Sequence, residues 1–357
     1  MFWPDQRLQD LFGIDHPILQ APMAGSATPA LAAAVSQAGG LGGLACGETP
    51  QALLRAFVQD LRAKTDRPFN LNFFIYPAPL TSDETLSWTR ERLKPWYDRQ
   101  GLGPVPDRLL PCAPGFGADK LRLVLELRPK VVSFHFGVPQ PEAVSALRDA
   151  DNRVIGSATS VAEARFLEAA GFDAVIAQGY EAGGHRGAHQ PTAPGDGVGT
   201  MALVPQVVDA VRLPVIAAGG IGDGRGIAAA LALGAAGVQM GTAFLLCPET
   251  DTPDARRAAL RQSSDTDTMV SDAFSGRSAR TRRSAYALDM ARAQEPLPAF
   301  PTLYDLSGPL IGAGHAGDVS FDLWGQASAL AREIPAGELV ADLVRQTEAV
   351  LARLFGR

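Results

Sequence analysis

Three observations predict an α/β fold of the (β/α)8 TIM-barrel class, with a smaller cap or insertion region after its eighth strand. Short apolar or β-branched runs recur along the chain and count to eight, most of them followed by an Ala/Leu-rich amphipathic segment. The first strand-to-helix turn, APMAGSATP, lacks the GxGxxG pattern of an open doubly wound sheet. Two stretches, about 75–115 and 247–325, are too long for ordinary connections and read as insertions.

In chain order the strands are read at 17–23, 41–45, 69–74, 131–136, 153–158, 174–178, 215–218 and 237–240. Between them, 161–171 and 224–237 keep apolar residues at helical spacing and close on glycine. The segment AGELVADLVRQTEAVLARLF reads as a closing helix on the barrel wall. Residues 1–246 and 326–357 are thus expected to form the barrel, and 247–325 a cap at its C-terminal face, where active sites of this architecture sit.

With 357 residues, 46% of them hydrophobic and 20% charged, the chain can bury a substantial core. A net charge of -6 leaves no basic field for nucleic acid, and the short cluster 280–283 reads as a solvated loop or subunit contact. Cys46, Cys112 and Cys247 have neither CxxC nor metal-type spacing, so no disulfide framework and no metal site is expected. No basic-then-apolar leader and no apolar run of about 18 residues is found. A cytoplasmic protein with no membrane partner is therefore expected, and a homodimer is compatible with it.

The chemistry concentrates at the ends of the later strands. In PVIAAGGIGDGRG a strand runs into a turn containing Gly219, Gly220, Gly222 and Gly224, and VQMGTAFL places Gly241 and Thr242 at the end of the next strand. Glycine lets the backbone approach an anion, its N–H groups are donors, and the positive end of the following helix favours negative charge. One such turn reads equally as a tight βα connection; two after the last two strands point to a phosphate-bearing ligand.

The sixth strand leads through QGYEAGGHRG to His185, whose titration near neutrality suits acid, base or donor work, unless it is an ordinary surface histidine. His135, in VVSFHFG, points opposite to Phe134 and Phe136 by alternation, toward the barrel interior or onto a backbone carbonyl. His16, His189 and His315 have no comparable context. Pro22 and Met23 offer a flat apolar contact, and Asn70 and Asn72 share one strand face where buried amides demand partners, unless either caps its own strand end. Cys247 adjoins no histidine and reads as structural.

Taken in order, QAPMAG, NLNFF, SFHFG, QGYEAGGHRG, AAGGIGDGRG and QMGTAFLLCPE resemble the nitronate monooxygenases over about residues 13–250. The resemblance implies non-covalent FMN, its ring against Ala21, Pro22 and Met23 and its phosphate on Gly220, Gly241 and Thr242, with Gly219 in the same turn. It adds Asn72, Gln178 and Gly183 to the cofactor contacts. The implied reaction is oxidation of a nitronate, which reduces the flavin by one electron, with O2 carrying it to a carbonyl compound and nitrite. No nicotinamide is required.

His185 matches the family's active-site histidine, expected to hold the nitronate or deprotonate a nitroalkane; His135 matches a bacterial-subgroup histidine, and Tyr304 a tyrosine of the cap. The subgroup pattern Tyr-Pro-x-x-Tyr-Asp-x-x-Lys is here FPTLYDLSG, so Phe300 and Gly308 replace a hydroxyl and a cation. The loop GRSARTRRSAY also departs from expectation. Competing readings are an NAD(P)H-dependent flavin reductase, acting on a quinone or an enoyl-acyl carrier protein, and a barrel that binds a phosphorylated ligand with little catalysis.

Overall fold

The computed structural model describes residues 3–47, 49–78, 80–107, 109, 115–293, 295–314 and 317–355; Cys112 and His315 lie outside them. The described strands are β1 (Ile18–Gln20), β2 (Gly42–Ala45), β3 (Phe69–Phe74), β4 (Val131–His135), β5 (Arg153–Ala158), β6 (Ala174–Gln178), β7 (Gly184–His185), β8 (Val215–Ala218), β9 (Gly237–Met240), β10 (Thr268–Ser271) and β11 (Ala279–Arg282). Eight of these pair in parallel in the order β1-β9-β8-β6-β5-β4-β3-β2, and a Leu19–Leu41 bridge joins the two ends of that order. This is the expected barrel.

Strand alternation sorts its core into layers. Leu71, Phe73 and Phe134 turn outward beneath the helices, whereas Leu19, Leu41, Ile155, Ile176 and Ile216 cluster with Leu8 and Phe12 of the helix Arg7–Phe12. Burying each such side chain contributes about 1.5–3 kcal/mol before chain entropy is counted. The terminal helix Ala336–Phe355 packs on Gly224–Ala232 and on Pro29–Gln37, as expected of a closing helix.

Two strands stop short of their expected ends. β1 ends at Gln20: Ala21 N–H still reaches Met240, but Pro22 has no N–H to extend the ladder, and the Met23 carbonyl turns to Ser26 and Ala27. β4 ends at His135 because Phe136 adopts a left-handed backbone, φ +76°. Alternation therefore fails at Phe136, which turns away from the outward core of Phe134 and packs instead with Tyr76 and Phe300.

Both insertions build one apolar core. Leu93, Trp96 and Tyr97 of the helix Asp83–Arg99 pack against Phe274, Tyr286 and Met290, and against Leu303, Leu306 and Leu310 of the helix Thr302–Ala313. Tyr97 Oη donates to the Leu306 carbonyl at 2.5 Å, and Trp96 Nε1 to Asp289 at 2.9 Å. A second, antiparallel sheet, β10-β11-β7, joins this cap to the loop after β6.

The sheet corrects the expectation of a solvated loop at 280–283. Arg280 is only 3% exposed, donating to the Tyr180 carbonyl and to Thr268, and Arg282 pairs with the buried Asp322. The basic residues are drawn inward because β11 is the central strand of that sheet. Among the described residues no helix is long and apolar enough to cross a membrane, and no group of three or more His, Cys, Asp or Glu is placed to hold a metal.

Candidate active site

The glycine turns after β8 and β9 converge with two other segments at the C-terminal mouth of the barrel. Gly219 and Gly220 have φ of +109° and +71°, a conformation that side chains with a Cβ adopt at a cost. A Cβ on Gly241 would lie 3.4 Å from Ala21 Cβ and 3.7 Å from Met23 Sδ, so the β9 turn faces the turn after β1. Thr242 Oγ1 accepts from Gly325 N at 2.9 Å, which leaves its hydroxyl proton to donate elsewhere. A Cβ on Gly183 would fall 2.4 Å from the Trp324 carbonyl carbon, so the Trp324–Gly325 backbone lies directly against the loop after β6.

The helix after β8 contributes less than its position suggests. Asp223 accepts from Arg225 N at 2.9 Å and Gly226 N at 3.4 Å, and Gln346 Oε1 takes Gly224 N at 3.0 Å. Its positive end is thus already capped by a carboxylate, a correction to the expectation that it would face an anion. Gly224 answers to packing as well, because a Cβ there would meet Gln346 Cβ at 2.4 Å. The Gly220 and Gly241 N–H groups, in contrast, donate to no other described residue. Unspent backbone donors, one spare hydroxyl and the half-buried Ala21, Pro22 and Met23 fit a phosphate carried by a planar heterocycle.

Asn70 and Asn72 do share a face: each donates Nδ2 to Ser133 Oγ at 2.9 Å, and Asn70 Oδ1 is left buried without a partner. Gln178 is engaged at both ends, Nε2 donating to the His185 carbonyl at 3.0 Å and Oε1 accepting from Gly187 N at 2.7 Å. Its amide clamps the segment that carries His185.

His185 stands on β7, paired in register with Ala279 of β11. Its Nε2 lies 2.9 Å from Ser275 Oγ, and Ser275 Oγ donates to the Arg277 carbonyl at 3.1 Å. A serine hydroxyl has one proton and a carbonyl only accepts, so this bond leaves Oγ as the acceptor for His185. The imidazole is then protonated on Nε2 and carries its lone pair on Nδ1. Phe74, Phe136, Phe300 and Phe321 surround the ring at centroid distances of 6.2, 5.7, 5.8 and 6.1 Å. Burial, reinforced by Arg277 and then His135, pushes its pKa down to about 3.

His135 is held 2.6 Å from Ser157 Oγ, and burial, with Arg277, Arg186 and His189 after it, pushes it down to about 4. Both imidazoles are therefore neutral at neutral pH. Gly187 lets the chain pass close to His135: a Cβ there would lie 3.4 Å from its Nε2. Tyr304 forms the next layer of the aromatic wall, 6.3 Å from Phe300 and 6.2 Å from Phe321. Gly308, one helical turn on, has nothing within 4 Å of where a side chain would begin. The Cys46 and Cys247 thiols are buried and pushed up to about 12, so neither supplies a thiolate.

Sequence reasoning missed Ser275, Arg277, Ser157 and Phe321. Ser275 and Arg277 lie about 90 positions from His185, and only the β7–β11 pairing brings them to it.

Comparison with known proteins agrees with this architecture. The family model described as nitronate monooxygenase matches residues 5–346. The chain is 45% identical to a nitronate monooxygenase from Paraburkholderia phytofirmans, over 97% of this chain and 96% of that one. It is 46% identical to another from Pseudomonas aeruginosa, over 95% and 98%. A solved nitroalkane oxidase from Streptomyces ansochromogenes superposes with a TM-score of 0.88 at 38% identity, covering 98% of this chain and 99% of that one. FabK from Thermotoga maritima gives 0.74 at 33%, covering 98% of each. The chain belongs to the nitronate monooxygenase family and is an enzyme of that family.

Proposed function

We propose that the chain binds FMN and uses O2 to convert alkyl nitronates, and nitroalkanes after deprotonation, to carbonyl compounds and nitrite. The observation that carries this reading is the neutral His185 imidazole, bonded to Ser275 on Nε2 and walled by aromatic rings, at the barrel mouth that also holds the two glycine turns. When bound, the flavin would supply the electron-accepting chemistry.

The protein's own part is binding, exclusion of water and placement of one proton acceptor. Gly219, Gly220, Gly241 and Thr242 would hold the phosphate, with Gly183 beside them. Ala21, Pro22 and Met23 would contact the ring, and Asn72 its polar edge, while Gln178 keeps His185 in place. The Nδ1 lone pair of His185 would take the α-proton of a neutral nitroalkane, a step that a nitronate does not need. His135 and Tyr304 would complete the pocket, His135 through Ser157 and Tyr304 through the aromatic wall.

The likeness to FabK favours a second reading, a flavin reductase fed by NAD(P)H. Purified protein should be yellow, and under anaerobic conditions its flavin should be reduced by a nitronate and left oxidised by NADH and NADPH. Rapid bleaching by a nicotinamide, with no response to nitronates, would transfer the assignment to the reductase. A colourless protein that could not be reconstituted with FMN would remove both.

A further inference from the structure

The neutral state of both histidines leaves the charge of an anionic substrate unmet. The cap helix offers no cation at Gly308, but Arg277 brings one from the loop between β10 and β11. Its guanidinium carbon lies 3.9 Å over the Phe136 ring, and Phe136 is itself packed against His185. Nη2 donates to the Ala188 carbonyl, Nε is buried without a partner, and the side chain makes no ion pair among the described residues. The residue is 8% exposed.

A buried, unpaired guanidinium costs several kcal/mol unless something anionic meets it. Two neighbouring arginines do not offer the same opportunity. Arg186 is spent on the Gly179 and Gln178 carbonyls, and Arg280 on Tyr180 and Thr268. Of the nearby carboxylates, Glu181 is occupied by Thr200, and Glu163 by Thr159 and His189 N, although the field of Glu163 still reaches Arg277. The field of Arg277 is felt by both His185 and His135, so its charge lies within electrostatic reach of the two imidazoles.

We propose that Arg277 is a specificity-determining residue whose guanidinium, stacked on Phe136 of the aromatic wall, selects the anionic nitronate over its neutral nitroalkane. The proposal rests on the functional reading above. The turn that delivers Arg277 is tightly specified: Gly276 has φ +74°, and a Cβ there would lie 2.0 Å from the Pro298 carbonyl oxygen.

The test compares the FMN-loaded wild type with Arg277→Met, Arg277→Lys and Arg277→Gln. Oxygen uptake is measured with ethylnitronate and with nitroethane, and nitrate, a planar monoanion, serves as inhibitor. Arg277→Met should lower kcat/KM for ethylnitronate by about 10–100-fold, the range of one charge-assisted hydrogen bond, and for nitroethane by less than about 3-fold. The inhibition constant of nitrate should rise by the same factor. The ratio of the two substrates does not depend on the fraction of folded enzyme, so an unchanged ratio with unchanged nitrate inhibition would overturn the proposal.

If Arg277→Met loses its flavin, Arg277→Lys should keep most of the preference and Arg277→Gln lose it; equal ratios in these two would also overturn it. A wild type that consumes no oxygen with either compound would sink the functional reading instead. Nitrate protection in a thermal melt, present in wild type and lost in Arg277→Gln, would then still test the anion site. Protection equal in the two proteins would refute it.

Discussion

Ser275→Ala tests the link between the cap and the chemistry. Ser275 is 1% exposed and joins two groups, accepting from His185 Nε2 at 2.9 Å and donating to the Arg277 carbonyl at 3.1 Å. Removing Oγ leaves a sheltered imidazole N–H and a carbonyl without their partner, which costs about 1–3 kcal/mol. At about 2.1 cal/mol/K of unfolding entropy per residue, a chain of 357 residues loses about 1–4 °C in Tm. The larger effect is functional, because the tautomer with the lone pair on Nδ1 is no longer enforced. Misplacing a proton acceptor by about 1 Å costs up to about 100-fold. Oxygen uptake with nitroethane should therefore fall about 10–100-fold, whereas ethylnitronate, which has no proton to lose, should change by less than about 5-fold. Flavin absorbance reports occupancy in the same samples. An equal loss on both substrates, or no loss on nitroethane at full flavin content, would refute the argument.

Three further outcomes follow from particular contacts. Because burial holds the folded pKa of His185 at about 3 and of His135 at about 4, the unfolded chain takes up protons first as pH falls below about 6.5. Stability is then full above pH 6.5 and declines toward pH 4, by at most about 1.4 kcal/mol per pH unit per histidine and by less where water reaches the ring. Tm against pH should show this, with a flatter profile in the His135→Asn, His185→Asn double variant. For Gly183→Ala the new methyl would meet the Trp324 and Gly325 backbone at 2.4 and 2.5 Å, so a loss of about 1–3 kcal/mol and of bound flavin is expected. Wild-type melting and absorbance would show that this backbone yields freely. His185→Asn, with FMN retained, should oxidise propionate 3-nitronate more slowly than wild type; an undiminished rate would remove His185 from the site.

The barrel was legible in the sequence because its signal is periodic and local. Each apolar run is long enough to cross the sheet, and the turns after β8 and β9 announce themselves through glycine. Phe136 shows where such reading stops: alternation assigns it to the face of Phe134, but one left-handed backbone angle turns it toward His185. Arg280 shows another limit. Three nearby basic residues read as solvated, yet pairing β11 between β10 and β7 buries Arg280 against backbone carbonyls that no composition rule can foresee. The aromatic wall is not legible in the sequence: Phe300 reads only as the loss of a hydroxyl, and Phe321 reaches the wall only through the return of the chain from the cap.

The two halves of the pocket carry different parts of the work. The barrel supplies what a cofactor would need, fixed by strand ends and glycines: the turns at Gly219–Gly220 and Gly241–Thr242, the Ala21–Met23 contact and the Asn72 amide. The cap would supply two groups around the substrate from a single loop, Ser275, which accepts from His185 Nε2, and Arg277, which brings a positive charge. His185 itself is anchored to both, through Gln178 on the barrel side and the β7–β11 pairing on the other. Replacements in the cap can thus change substrate preference while the glycine turns stay as they are. Phe300 adds a phenyl ring to the wall, Gly308 adds no side chain, and in the proposed reading Arg277 is the charge on which discrimination of an anion would depend.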